Sequence, residues 1–201
     1  MKYKNIAIER QYGSGGRGIA RQVAEKLDIT CYGEEILRMA AERSGVPAEY
    51  LAGLEEAGPD PIGDTISLIN KMFYHDGTTL SNKDRLADLE GKIITEIADK
   101  ESCVFIGRGS AFILGDRRST LSVFVYADFD FRKNHAIANY GIDEWNADKV
   151  IKSIDKKRAN HYSSYRKLVW GEKEGYDLML NSGELGIDRC IDLIVEIVKS
   201  S

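Results

Sequence analysis

The stretch 6-IAIERQYGSGGRGIARQVAEKL-27 decides the fold. A β-prone run over residues 4–9 meets a glycine turn, and beyond it Ile19, Ala20, Val23, Ala24 and Leu27 recur at helical spacing. The order is strand, loop, helix. The turn itself, Gly13-Ser14-Gly15-Gly16-Arg17-Gly18, fits two templates. Taken alone it is G-x-G-x-x-G, the dinucleotide fingerprint. Taken with its flanks it is a variant of G-x-x-x-x-G-K-[ST], the phosphate loop, with Arg17 at the lysine position and Gly18 at the hydroxyl position.

The dinucleotide template asks for a glycine almost directly after the strand and an acid closing the second strand about 20 residues on. Here Glu9-Arg10-Gln11-Tyr12 intervene, and the short second strand, 29-ITCY-32, ends at Gly33 with Glu34 and Glu35 only after it. The phosphate-loop template matches outright at Gly16 alone, but its physics survives. Small residues let successive backbone N–H groups curl around an anion, and the following helix adds roughly half a positive charge at its N-terminus. Arg17 keeps a cation near the phosphates, although a planar fork is not a point charge. Gly18 removes the hydroxyl that would hold Mg²⁺. The plain alternative is a glycine turn without a ligand.

Working outward, Ile36, Leu37, Ala40 and Ala41 give a second helix its apolar face, ending near Ser44-Gly45-Val46-Pro47. Residues 47–82 are irregular and acid-rich around a helical fragment at 62–74. A helix over 83–100 leads into 102-SCVFIGRG-109, a buried strand with a glycine turn at its end, and 121-LSVFVYA-127 is a continuous apolar run of the kind a parallel sheet covered on both faces needs. Helices over 129–140 and about 143–168 precede a last strand, 176-YDLMLN-181, and a helix faced by Cys190, Ile191, Ile194, Val195 and Val198. Alternating strands and helices predict an α/β layered fold with a parallel sheet.

The bulk composition narrows the classes. The 201 residues, 43% hydrophobic and 30% charged, suit one domain with a small inserted lobe. No apolar run approaches the roughly 20 residues of a membrane span, and MKYKNIAIERQ lacks a signal-peptide apolar region, so a cytoplasmic protein with no membrane partner is expected. Cys31, Cys103 and Cys190 are scattered without a C-x-x-C and read as core residues. A net charge of −4 argues against a nucleic-acid partner. The charge is uneven: residues 149–173 hold eight Lys/Arg against Asp155 and Glu172, and residues 34–64 hold eight acids against Arg38 and Arg43. The basic segment is either a solvated helix face or an arm that closes over polyphosphate.

QYGSGGRGIARQVAEKL, CYGEEILRMA, CVFIGRGSAFIL, LSVFVYA, DKKRANHYSSY and YDLMLNSGELGID, in this order and spacing, resemble the cytidylate kinase-like family, relatives of the nucleoside monophosphate kinases. The resemblance runs from about Asn5 to about Val198. It implies a P-loop NTPase fold of three layers with a central parallel sheet, a helical acceptor lobe at about 34–82 and a helical lid at about 141–172. It also implies ATP with Mg²⁺ as cofactors, and a nucleotide donor and small phosphorylated acceptor as partners. Gly13, Ser14, Gly15, Gly16, Arg17 and Gly18 would cradle the donor. Arg38 and Arg108 would hold the acceptor phosphate, Arg158 and Arg132 would join Arg17 in neutralising the transferring group, and Asn181 would lie at the donor base.

Each assignment has an ordinary structural counterpart. Arg38 can be a solvated helix arginine, Arg158 a partner of Asp155 one turn back, and Asn181 a helix cap. Arg158 extends the stripe of Val150 and Ile154, which predicts that it faces inward. Arg108 follows a buried parallel strand, whose C-terminal end points into a ligand crevice. Three departures from the family bear on catalysis: Gly18 at the metal-binding hydroxyl, Gly33 where relatives carry an acid, and Gly109 where cytidylate kinases carry Asp. Glu34, Glu35 and Asp128 are the candidate replacements for the metal. The function expected is phosphoryl transfer from ATP to a small acceptor, a pyrimidine monophosphate such as CMP foremost. The alternative is a nucleotide-binding regulatory or interaction module with little turnover.

Overall fold

Alternation along β1 (Asn5–Arg10) builds the centre of the molecule, because successive side chains of a strand point to opposite faces. In the computed structural model, which describes residues 2–48, 51, 82–163 and 169–201, Ile6 and Ile8 enter one core while Asn5, Ala7 and Glu9 enter the other side. β1 pairs in parallel with β3 (Cys103–Ile106) and β4 (Thr120–Tyr126). β2 (Thr30–Tyr32) and β5 (Leu178–Asn181) complete a five-stranded parallel sheet of order β2-β3-β1-β4-β5.

Helices cover both faces, as a parallel sheet requires. On the Ile6/Ile8 face, α1 (Gly16–Leu27) contributes Ile19, Ala20, Val23 and Ala24, and α8 (Ile187–Ser200) contributes Cys190, Ile191, Ile194 and Val198. On the other face Cys103 and Phe105 of β3 pack with α2 (Glu34–Ser44), α3 (Asn82–Lys100) and the short α4 (Ser110–Leu114). Each fully buried Ile or Leu here is worth about 1.5–3 kcal/mol of transfer free energy. α5 (Phe129–Tyr140), α6 (Glu144–Ser163), a 3₁₀ turn at Lys173–Gly175 and α7 (Ser182–Leu185) complete the described elements.

The three-layer α/β reading holds, with two differences of detail. β1 continues one residue past the expected run, to Arg10, which still pairs with Val125. The five-residue α4 has too few residues to show a period, which is why pattern reading passes over it. The helical fragment expected at 62–74 and most of the acceptor lobe lie outside the described residues. All three cysteines are free; Cys103 and Cys190 are buried and Cys31 is partly so. Among the described residues no helix is long and apolar enough to cross a membrane.

Candidate active site

The glycine loop leaves β1 at Arg10 and enters α1 at Gly16. Gly13 and Gly15 carry φ of 82° and 74°, which alternate with ordinary backbone to make a concave row of N–H groups. A Cβ at Gly13 would overlap the Arg132 carbonyl, so the turn fits against α5 only because that residue has no side chain. None of the amides of Gly13, Gly15, Gly16, Arg17 and Gly18 donates a hydrogen bond to a described residue. Five N–H groups at a helix N-terminus, three of them on buried glycines, make an anion-binding nest.

The loop is held from outside by side chains. Ser14 Oγ donates to the Gln11 carbonyl at 2.8 Å, and Ser182 Oγ donates to the Ser14 carbonyl at 2.6 Å. The Tyr12 amide donates to Asp155 Oδ1 at 2.7 Å, and Arg132, almost fully buried, donates to the Tyr12 carbonyl at 3.2 Å while its Nη1 pairs with Asp155 Oδ2. Arg132 Nε also reaches the Ala127 carbonyl at 3.1 Å. Asp155 is therefore the partner of Arg132 and of the loop, not of Arg158 as its i−3 spacing suggested. The fully buried side chains of α6 are Ala147, Ile151 and Tyr162, one step round from the expected Val150–Ile154–Arg158 stripe.

Ile154 and Arg158 of that stripe instead line a cleft of about 330 Å³ between α6 and the ends of β1 and β3, with Glu9, Arg10, Tyr12, Arg108 and His161 also on its walls. Arg158 Nη1 donates to the Arg10 carbonyl at 2.9 Å and its guanidinium lies 5.5 Å from the Tyr12 ring centroid. Burial, then the neighbouring Arg10 charge, depresses the Arg158 guanidinium to about 9. Arg10 is lowered as well, first by burial. Two desolvated guanidiniums side by side favour an anion between them.

Arg108 sits in a turn, Gly107-Arg108-Gly109, whose three φ values are 69°, 60° and 67°. A left-handed non-glycine costs on the order of 1 kcal/mol, and such outliers gather at functional sites. Arg108 Nη1 lies 3.2 Å from Glu90 Oε1, and Glu90 Oε2 lies 3.7 Å from His161 Nε2. Glu90 is wholly buried, and burial pushes its carboxyl up to about 8.

A smaller cavity of about 140 Å³ adjoins the cleft and is lined by Arg10, Arg17, Arg21, Arg108, Glu34 and Glu35, among others. Arg17 therefore faces the α2 side, 2.8 Å from Glu34 Oε1, and both side chains are about half exposed. Arg38 is more exposed still, 3.6 Å from Glu35 on its own helix, and lines neither cavity. Asn181 Oδ1 accepts from the amides of Gly183 and Glu184, which makes it the cap of α7. Gly18 is exposed with nothing within 4 Å of a Cβ placed there.

Glu35 accepts from its own amide and from the Gly33 amide at 2.8 Å, and these two bonds, its own first, hold its carboxyl below the usual range. Asp128 is exposed at the start of α5. Among the described residues no group of three or more His, Cys, Asp or Glu is placed to hold a metal ion. Sequence reasoning missed Glu9, Arg10, Glu90, Asp155 and His161. The readable signal was at Glu9-Arg10, two charges directly after the apolar run Ile6-Ala7-Ile8, which a soluble core tolerates only with a partner or a task.

A sequence model described as the cytidylate kinase-like family matches residues 5–184. Over 196 residues, 96% of this chain and 94% of the other, the sequence is 24% identical to the cytidylate kinase of Archaeoglobus fulgidus. A solved structure, an uncharacterized protein from Eubacterium ventriosum, superposes with a TM-score of 0.72 at 25% identity, covering 98% of this chain and 99% of that one. Shikimate kinase from Bacteroides thetaiotaomicron superposes with a TM-score of 0.52 at 15% identity, covering 97% and 98%, a likeness of fold alone.

Proposed function

Because this chain belongs to the cytidylate kinase-like family, we propose that it transfers the γ-phosphoryl group of ATP to a small acceptor, a pyrimidine nucleoside monophosphate such as CMP being the first candidate. The observation that carries this reading is the nest of five amides at Gly13 and Gly15–Gly18 opening beside a cleft that gathers Arg10, Arg108 and Arg158. Phosphoryl transfer needs little covalent help from the protein. It needs the reactants held in line and charge on the equatorial oxygens neutralised.

In this reading the loop amides bind the β- and γ-phosphates, and α6 acts as the lid that brings Arg158 to the transferring group. Arg108, held by Glu90, contacts the acceptor. Arg10 joins the site, while Arg132 is a positioning residue that locks Tyr12 and Asp155 together. Arg17 belongs to the acceptor side of the loop. Arg38 reaches the acceptor only if α2 moves.

Family membership implies ATP and, as a rule, Mg²⁺. The amide nest fits a triphosphate. The donor set for a metal does not fit: Gly18 offers no oxygen, Glu35 is engaged by an amide, and no acidic cluster is present among the described residues. No step is assigned to the metal. The same gap favours a second reading, a nucleotide-binding module with little turnover.

Incubation with ATP, Mg²⁺ and a panel of nucleoside monophosphates separates the two. Acceptor-dependent ADP formation is the expected result; tight ATP binding without it supports the module.

A further inference from the structure

Glu9 stands on β1 at the inner wall of the cleft. It is only 3% exposed, yet Oε1 has no hydrogen-bond partner among the described residues. Leaving one oxygen of a buried carboxylate unpaired costs about 1–3 kcal/mol or more, so a chain that keeps one beside its cleft has a use for it. We propose that Glu9 is the general base of this site and that the cleft phosphorylates a hydroxyl acceptor, such as the sugar hydroxyl of a nucleoside. This rests on the phosphoryl-transfer reading above and, by naming the attacking group, puts a hydroxyl in place of CMP's phosphate as the first-candidate acceptor.

The chemistry separates the two acceptor classes. A phosphate monoester, with a second pKa near 6, already carries an ionised oxygen at neutral pH and attacks without a base. A carboxylate facing it would add one more negative charge where two phosphates already meet. A hydroxyl must lose its proton as it attacks, and a base titrating near the working pH does this best. Burial raises the Glu9 carboxyl, while Arg10, Arg158, the Trp170 indole and the Gly109 amide oppose that shift.

The groups that face Glu9 come from every neighbouring element: Arg10 on its own strand, Lys157, Arg158, His161 and Tyr162 on α6, Arg108 and Gly109 after β3, and Tyr176 before β5. The cations neutralise the transferring group; the tyrosines stay neutral, Tyr162 being pushed up to about 12 by burial. In the step itself the acceptor oxygen forms a bond to the γ-phosphorus. The bond from that phosphorus to the β–γ bridging oxygen breaks, its electron pair leaving on ADP. The hydroxyl proton passes to Glu9 and then to solvent.

The test compares CMP with cytidine, which differ only in the phosphate, using the full chain, ATP and Mg²⁺, with products resolved by chromatography. Wild type is expected to phosphorylate cytidine. Glu9→Gln, nearly isosteric and checked for folding by its melting temperature, should lower cytidine turnover by about 10²–10⁴-fold and, by removing a negative charge from the cleft, should not lower CMP turnover. Glu9→Asp should recover part of the cytidine rate. In wild type, kcat/KM for cytidine should rise with pH as Glu9 ionises, and the Gln variant should lose that limb. Equal losses for both acceptors, or CMP turnover with no transfer to cytidine or to a panel of other nucleosides and polyols, overturns the base assignment. No ADP with any acceptor overturns the kinase reading itself, a distinct failure.

Discussion

The glycine loop and the cleft under α6 share a boundary at Arg10, but they are built in opposite ways. The loop offers main-chain amides, and four side chains are spent holding it: Ser14 on Gln11, Ser182 on Ser14, and Arg132 and Asp155 on Tyr12. The cleft offers side chains, and its backbone is spent positioning them, as the left-handed turn at Gly107–Gly109 shows. Arg132 and Arg158 make the contrast concrete. Arg132 has its donors taken by two carbonyls and a carboxylate. Among the described residues Arg158 makes one hydrogen bond, to a carbonyl, and lines the cleft. A region made of backbone can tolerate a change of ligand identity but not of geometry; a region made of side chains can do the reverse.

The sharpest way to break this comparison is to remove the two arginines in turn. Arg158→Ala should lower turnover by about 10³-fold with ATP affinity changed only a few-fold, read by steady-state kinetics and equilibrium titration. Equal loss of both would move Arg158 into the loop's scaffold. Arg132→Ala should do the opposite. It leaves the partly buried Asp155 and the Tyr12 carbonyl without their cation, which costs about 3 kcal/mol and lowers the melting temperature by about 6–12 °C, with ATP affinity falling as the loop loosens. A variant of normal stability and lost turnover would return Arg132 to the catalytic group.

Glu90 sharpens the cleft's side of the comparison through pH. Its folded carboxyl is raised to about 8 against an ordinary value near 4.5. Between those values the folded protein binds more protons than the unfolded chain, so this group's contribution to stability is fully present below about pH 4.5 and is lost as pH rises through about 8. Glu90→Gln, which stays neutral, should flatten that slope and be worth on the order of 2 kcal/mol at pH 8 relative to its effect at pH 5, measured by thermal unfolding across the range. Parallel curves would mean that Arg108 and His161 hold Glu90 ionised throughout. The smallest effect falls on the loop's outer edge. Gly18→Ser meets open space, and replacing a helical glycine should add about 0.5 kcal/mol of stability in the same experiment. A loss would show that the first turn of α1 is more crowded than its geometry.

The elements were legible because their signals are local. The helical spacing of Ile19, Ala20, Val23 and Ala24 and the apolar run at 121–127 each declare themselves within one element, and both are buried as read. The site was legible only in part. Arg108 and Arg158 reach the cleft as their positions implied, whereas Arg38 does not, because an exposed helix arginine carries the same local pattern whether or not a crevice lies beside it. The structural alternative for Arg158, a pairing with Asp155, fails for a related reason: the i−3 rule knows only its own helix, and the salt-bridge partner of Asp155, Arg132, comes from α5.

By itself the amino-acid sequence determined the alternation of strand and helix, the strand–loop–helix unit around Gly13–Gly18 and the family it belongs to, since hydrophobic period and glycine placement act over one or two turns of chain. Which charged side chains meet was decided by the tertiary structure alone. The sheet order β2-β3-β1-β4-β5 carries Arg10 of β1 next to Arg108 after β3, nearly a hundred residues later, and brings α6 across both. Electrostatic partnership depends on distance and desolvation, and only packing sets those.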